Sequence, residues 1–177
     1  MADIIDLIVA DHARIRKLLV EVENALERSD GAGIPDGMAG SWELLAPLLQ
    51  MHVDVAEEIG FPALFGRADS QARESAKATH DDIREAVLET RLYPPGSRPW
   101  QLAILAACAA ARDHINDLES GALARFRRAA SVPTREALGR HWAAFVAASV
   151  PSGLCDDPIL IESPGCRATG GNVQQRG

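Results

Sequence analysis

The sequence has few of the residues that mark several classes of protein. Aromatic residues make up 5% of the 177, with a single tyrosine, and the three cysteines are odd in number. Their wide spacing excludes a disulfide framework and a CxxC metal site. Basic residues are in deficit, because 18 Lys and Arg stand against 25 Asp and Glu, for a formal net charge of −7. That balance argues against a surface that binds nucleic acid.

Long apolar runs are missing as well. None reaches the roughly 18 residues that a membrane span needs. The N-terminal stretch MADIIDLIVADHARIRK has no basic segment before its apolar residues, unlike a signal peptide. Since 47% of the residues are hydrophobic, the chain has enough apolar material for one core. We therefore expect a cytoplasmic protein with no membrane partner.

Alternation of β-branched residues is also nearly absent, whereas apolar residues recur at intervals of three and four. Four long helices joined by short loops are typical of an antiparallel up-down four-helix bundle, so the predicted fold class is all-α. We predict one domain over residues 1–150, with Ser41 as the N-cap of the second helix and a short fifth helix, and an irregular tail over 151–177. The predicted helices span residues 2–28, 41–65, 69–91, 100–130 and 134–149.

Each long predicted helix carries one histidine on its apolar face. They are His12, His52, His80 and His114. A single buried histidine usually bonds a backbone or hydroxyl group, but four buried imidazoles each need a partner or cost about 1–3 kcal/mol. Imidazole suits iron, zinc and copper, and bundle cores are where such sites are built. We predict that these four bind metal and that the fifth, His141, is structural.

The acidic residues of this predicted site lie one position further from their histidines than the usual ligand spacing of four residues. Bundle di-iron sites take carboxylates at short helical spacings, but the residue four after each of His52 and His114 is apolar. Glutamates follow at five, as Glu57 and Glu119. An i+5 side chain points about 140° away in an α-helix, and a π-type turn narrows this to roughly 50°. We predict that both glutamates are metal ligands and that both helices leave α geometry there.

Alternatives to these two ligands remain. Both glutamates could be solvated charges on helix faces, and Asp117, three residues after His114, would then be the acid with ligand spacing. A glycine lies shortly after each glutamate, at Gly60 and Gly121. Glycine tolerates dihedral angles that other residues avoid, so these two could absorb a local distortion.

At these residues the chain resembles the hemerythrin-like, or HHE cation-binding, family. The segments that carry the resemblance are DHARIRKLL, HVDVAEEIGFPALF, THDDIREAV and ARDHINDLE, and it covers roughly residues 3–126. It implies a four-helix bundle with a non-haem di-iron centre, bridging carboxylates and an open position for dioxygen or nitric oxide. The family usually has glutamate four residues after its second and fourth histidines, where this chain has Ala56 and Leu118.

Three functions are compatible with this site. The first is binding or sensing of dioxygen or nitric oxide at two irons, oxo- or hydroxo-bridged. The second is an oxygenase or a peroxide-consuming enzyme, although Tyr93 is the one redox-active phenol in the chain. The third is an interaction module whose site is mononuclear or lost, which Ala56 and Leu118 favour. We rank them in that order.

Overall fold

The computed structural model describes residues 2–28, 38–66 and 69–149, and these residues form five helices without strands. The all-α prediction is confirmed. The predicted tail over 151–177 lies outside the described residues. The helices are α1 (Ile4–Glu27), α2 (Met38–Val55, continuing as a π-helical segment Ala56–Gly60 and a last turn Phe61–Leu64), α3 (Ser70–Glu89), α4 (Arg98–Asp117, continuing as a π-helical segment Leu118–Leu123 and an α-helical end Ala124–Ala129) and α5 (Val132–Ser149).

Two predicted helix features are wrong. Ser41 lies inside α2 and does not cap it, because the helix begins three residues earlier at Met38, whose side chain is fully buried in the core. The fifth helix is not short, since it has 18 residues. It starts at Val132 because Pro133 suits a first helical turn, where its missing N–H breaks no hydrogen bond.

Each helix packs against at least two others. Helix α1 packs against α2 and α4, and α3 packs against α4 and α2, while α5 lies against α1 and α2. Within the described ranges no helix has both the length and the apolarity that crossing a membrane requires.

The interior contains two apolar clusters, with the predicted metal histidines at their boundary. Along α1, residues up to Ile8 belong to one cluster and residues from Ile15 to the other, so His12 lies between them. Along α2, Leu49 and Val55 fall in different clusters on either side of His52. The fold therefore buries these histidines near the middle of the apolar interior.

Candidate metal centre

The four predicted ligand histidines come together in one buried group, which we call the histidine cluster (His12, His52, His80 and His114). Their exposed fractions are 0%, 1%, 0% and 4% in that order. Each imidazole occupies the inward face of its helix, as the three-and-four spacing of apolar residues predicts. Residues from four different helices thus meet at one point.

Three of these imidazoles point their Nε2 atoms at one another. The distance from Nε2 of His52 is 3.3 Å to Nε2 of His12 and 3.3 Å to Nε2 of His114. Ligand nitrogens of the three residues all lie within 4.8 Å of each other. Nitrogens that share a metal at 2.0–2.1 Å in tetrahedral coordination are about 3.3 Å apart. The two 3.3 Å distances therefore match the spacing of nitrogens that bind one ion.

His80 completes the cluster from the side. Its ring centroid is 4.5 Å from that of His114, and its ring stacks on Phe61 at 4.7 Å. Its Nε2 atom is buried and has no hydrogen-bond partner among the described residues, and the same holds for Nδ1 of His52. An unpaired buried polar atom is costly, so both atoms point to a missing partner.

His12, His80 and His114 are neutral at pH 7. Burial, together with the neighbouring His52, lowers the pKa of His12 to about 3 and that of His80 to about 4. The same causes, with His80 and His12 adding to them, hold the pKa of His114 well below its usual value. Neutral imidazole is the form that binds metal, since its unprotonated nitrogen carries a lone pair.

Too few protons are available to satisfy the contacts within the cluster. His12 has one ring proton, and its Nδ1 lies 2.9 Å from a carboxylate oxygen of Glu119, which can only accept. The proton is therefore on Nδ1, and Nε2 presents a lone pair to His52. Both 3.3 Å contacts end on Nε2 of His52, and one proton at that atom can form a hydrogen bond in only one of them. The other contact then has no proton between its two nitrogens. A metal ion would accept all three lone pairs, so the donor set fits a cation.

Both predicted departures from α geometry are present. The π-helical segments begin at Ala56 and Leu118, each four residues after its histidine and one before its glutamate. They turn Glu57 and Glu119 toward the histidine cluster, where the two side chains are 26% and 29% exposed. Oε1 of Glu57 lies 3.0 Å from Nδ1 of His80. Each carboxylate thus reaches a histidine of a neighbouring helix, and direct metal ligation by either one stays a prediction.

The two nearby glycines do not contribute in the way that the sequence suggested. Gly60 has φ −69° and ψ −54°, which any residue adopts in a helix, and neither Gly60 nor Gly121 has positive φ. A Cβ built at Gly60 would lie 3.5 Å from Cζ3 of Trp142, an ordinary van der Waals contact, so a larger residue would also fit there. The π-helical segments therefore form without special dihedral angles.

Sequence reasoning missed two arginines that bind the glutamates. Arg16 contacts both oxygens of Glu119, at 2.9 and 2.8 Å, and Arg84 contacts Oε1 of Glu57 at 2.7 Å. A signal was available, since each arginine follows a cluster histidine by four residues and so lies on the same helix face.

A buried aspartate and a tryptophan were also missed. Asp11 is 4% exposed, and its Oδ2 atom accepts a hydrogen bond from Nε1 of Trp142 at 3.2 Å. The same oxygen lies 3.9 Å from Nδ1 of His52, and the Trp142 ring is 5.9 Å from the His52 ring. No spacing in the sequence indicates this group, because its members come from three different helices.

The remaining polar candidates lie outside the cluster. His141 is exposed on α5, and Asp117 is exposed on α4. Asp117 lines a cavity of about 200 Å³ that reaches His114 between α3 and α4, with Phe65, Ala76 and Leu118 among its other walls. His114 is therefore the cluster histidine that this cavity reaches.

Comparison with known proteins identifies a family match. The family model described as Hemerythrin HHE cation binding domain matches residues 3–126, which include the histidine cluster and both glutamates. No curated protein and no solved structure matches the chain.

Proposed function

The chain belongs to the hemerythrin HHE cation-binding family, and from that premise we propose that it is a non-haem iron protein that binds dioxygen or nitric oxide. The observation that supports this most is the convergence of three buried Nε2 atoms, those of His12 and His114 each 3.3 Å from that of His52. Imidazole is a good ligand for iron, and bundle cores are where such centres are held.

We propose that the centre holds two irons. His12, His52 and His114 would hold one ion through Nε2, and His80, with its unpaired Nε2, would contribute to the second. Glu57 and Glu119 would supply the negative charge that offsets the cations. Iron, when bound, offers an open coordination position at which a diatomic molecule binds.

The size of the cavity beside the cluster favours a small ligand. The cavity beside His114 has a volume of about 200 Å³ and includes Phe65, Ala72 and Ala122 in its lining. Drug-sized ligands need pockets of roughly 300–1,000 Å³. A diatomic gas fits the smaller space.

We also propose that α1 to α4 form the antiparallel up-down bundle expected from the sequence. Contacts between α1 and α2, α2 and α3, α3 and α4, and α4 and α1 close a ring around the histidines. Such a ring is the arrangement in which four inward faces share one core.

Metal analysis and optical spectroscopy after anaerobic reconstitution test the proposal. We expect close to two irons per chain, near-ultraviolet absorption after exposure to air, and a new visible band on addition of nitric oxide. Zinc retained in place of iron, or less than half an equivalent of iron, would overturn it. Steady oxygen or peroxide consumption would instead indicate the enzymatic alternative.

The direct role of the glutamates has its own test. If Glu57 and Glu119 bind iron, replacing either with glutamine should reduce the iron content toward one per chain, because the amide is a weaker, uncharged ligand. Glu58→Gln is the matched control, since Glu58 is exposed in the same π-helical segment. Two irons in all three variants would remove the glutamates from the ligand set.

A further inference from the structure

The polar residues around the histidine cluster repeat along the chain in a pattern that the metal site alone does not require. An arginine follows the first and third cluster histidines by four residues, as Arg16 and Arg84. A glutamate follows the second and fourth cluster histidines by five residues, as Glu57 and Glu119 respectively, each in a π-helical segment. The α1–α2 half and the α3–α4 half thus carry the same order of residue types.

Contacts connect the two halves crosswise. In the first set, Arg16 binds Glu119 with two hydrogen bonds of 2.9 and 2.8 Å, and Glu119 lies 2.9 Å from Nδ1 of His12. The arginine and the histidine belong to α1, and the glutamate belongs to α4. One carboxylate is therefore held by two residues that lie one turn apart on a neighbouring helix.

The second set repeats this arrangement on the opposite pair of helices. Arg84 binds Glu57 at 2.7 Å, and Glu57 lies 3.0 Å from Nδ1 of His80. Arg84 also binds Asp54 at 3.0 Å, which fixes the guanidinium from a second direction. Here α3 supplies the arginine and the histidine, and α2 supplies the glutamate.

We propose that Arg16 and Arg84 are positioning residues for the metal centre, acting through Glu119 and Glu57. Each arginine holds a carboxylate against Nδ1 of His12 or His80, which keeps the ring proton on Nδ1 and leaves Nε2 free as a lone-pair donor toward the cluster. This inference deepens the proposed function and rests on it only for the effect on metal affinity. The tautomer assignment applies to the metal-free protein by itself.

The charges of the two sets support this role. The hydrogen bond from Arg16 lowers the pKa of Glu119. Burial raises the pKa of Glu57, but the hydrogen bonds from Arg84 and His80 together lower it by more, so the net shift is downward. Both carboxylates are therefore ionised acceptors at pH 7. A planar guanidinium can bind both oxygens of a carboxylate, which a lysine ammonium cannot reproduce. Partners of this kind fix the tautomer and ring orientation of a metal-binding histidine.

Another ion pair in the same helices provides a matched control. Arg112 on α4 pairs with Glu23 on α1, away from the histidine cluster. Arg112 is 44% exposed and Arg16 is 42% exposed, so the two arginines differ little except in what their glutamates contact. Arg112→Gln should therefore reproduce the loss of an α1–α4 ion pair without disturbing a histidine.

The first measurement is nitrogen-15 NMR of the imidazoles in metal-free protein labelled at histidine. Wild type should show two slowly exchanging protons on Nδ1, assigned to His12 and His80. Arg16→Gln should remove the Nδ1 proton signal of His12, and Arg84→Gln should remove that of His80. Arg16→Lys should keep part of the His12 signal, and Arg112→Gln should leave both signals unchanged. Nδ1 protons that persist unchanged in both glutamine variants would overturn the proposal.

The second measurement is cobalt(II) affinity, read from the visible absorption of the bound ion. We expect Arg16→Gln and Arg84→Gln each to weaken binding 10- to 100-fold, with Arg112→Gln within twofold of wild type. An equal loss in Arg112→Gln would show that helix stability, and not positioning, is responsible, and would also overturn it. If wild type binds no metal but the NMR pattern holds, the proposed function fails, while the role of the arginines in fixing the two histidine tautomers stands.

Discussion

A buried imidazole needs a partner for each ring nitrogen, and this requirement separates the four clustered histidines from His141. Inside the cluster, Nδ1 of His52 and Nε2 of His80 have no hydrogen-bond partner among the described residues. His141 is exposed to solvent. The difference lies in solvation, so it should appear directly in metal retention.

Replacing His12, His52 or His114 with alanine should each remove most of the bound iron, because each deletes one of three converging ligands. His80→Ala should act on the second iron more than on the first, since His80 lies to the side of the three. His141→Ala should retain the wild-type iron content. Iron per chain after reconstitution and desalting measures all five variants. Full retention in His52→Ala, which removes the nitrogen shared by both 3.3 Å contacts, would contradict the site.

At this scale the sequence predicted inward-facing residues well and their partners poorly. Helical spacing alone identified the histidines, because a period of three and four defines a face whatever lies opposite. The bonds from Arg16 to Glu119 and from Trp142 to Asp11 join residues more than one hundred positions apart. Such pairs depend on which helices are neighbours and on how far each is shifted along its axis relative to the other. The periodicity of a single helix contains no information on either point.

At the scale of the helix, the two π-helical segments behave as single-residue insertions. A π-type segment accommodates one more residue than the α-helix on either side of it. Their position was predictable because a glutamate five residues after an inward histidine cannot face the same way in an α-helix. The start of α2 was not predictable in this way, since the burial of Met38, a tertiary contact, extends the helix past Ser41.

Deleting Ala56 should therefore be tolerated. The deletion would return the segment to α geometry and leave Glu57 four residues from His52, about 40° away, while downstream residues keep their facing. Deleting Ala46, inside regular α-helix, would rotate the preceding residues by about 100° and turn Leu45 out of the core. Circular dichroism melting should show cooperative unfolding for the first variant and its loss for the second. Equal damage in both would contradict the insertion view.

Helix α5 meets the start of α1 at a point where only glycine fits. A Cβ on Gly139 would overlap the carbonyl oxygen of Ala2, whereas a Cβ on Gly40 in α2 would meet no atom within 4 Å. Gly139→Ala should lower the free energy of unfolding by about 1–3 kcal/mol, the usual cost of overpacking. Gly40→Ala should leave it unchanged or raise it by up to about 1 kcal/mol, through helix propensity. Denaturant titration measures both, and a neutral Gly139→Ala would place α5 elsewhere.

At the scale of the whole molecule, bound metal would connect helices that are also joined by apolar contacts and by ion pairs such as Arg16 to Glu119. His12, His52 and His114 would hold an ion from α1, α2 and α4, and His80 on α3 lies beside them, so metal bound at the cluster would constrain all four helices. An ion that binds the native state alone adds free energy to it, by about 2.7 kcal/mol at one hundred times its dissociation constant.

Removal of metal should therefore lower the midpoint of thermal unfolding, and added iron or cobalt should raise it in a concentration-dependent way. The quadruple variant with alanine at all four cluster histidines should show no such dependence. Differential scanning calorimetry with and without chelator measures the shift. A midpoint that is independent of metal in wild type would mean that the ion binds the unfolded chain equally well or binds outside the helices.

The placement of Trp142 gives the protein its own optical probe. Of the three tryptophans in the chain, Trp42 and Trp100 belong to the apolar cluster around Leu19 and Ile104, whereas Trp142 belongs to the other and lies 5.9 Å from the ring of His52. Iron bound close to an indole would quench the fluorescence of that indole much more strongly than the fluorescence of more distant tryptophans. If iron occupies the centre, its occupancy and any change on gas binding should therefore be measurable as the fluorescence intensity of one residue, without any label.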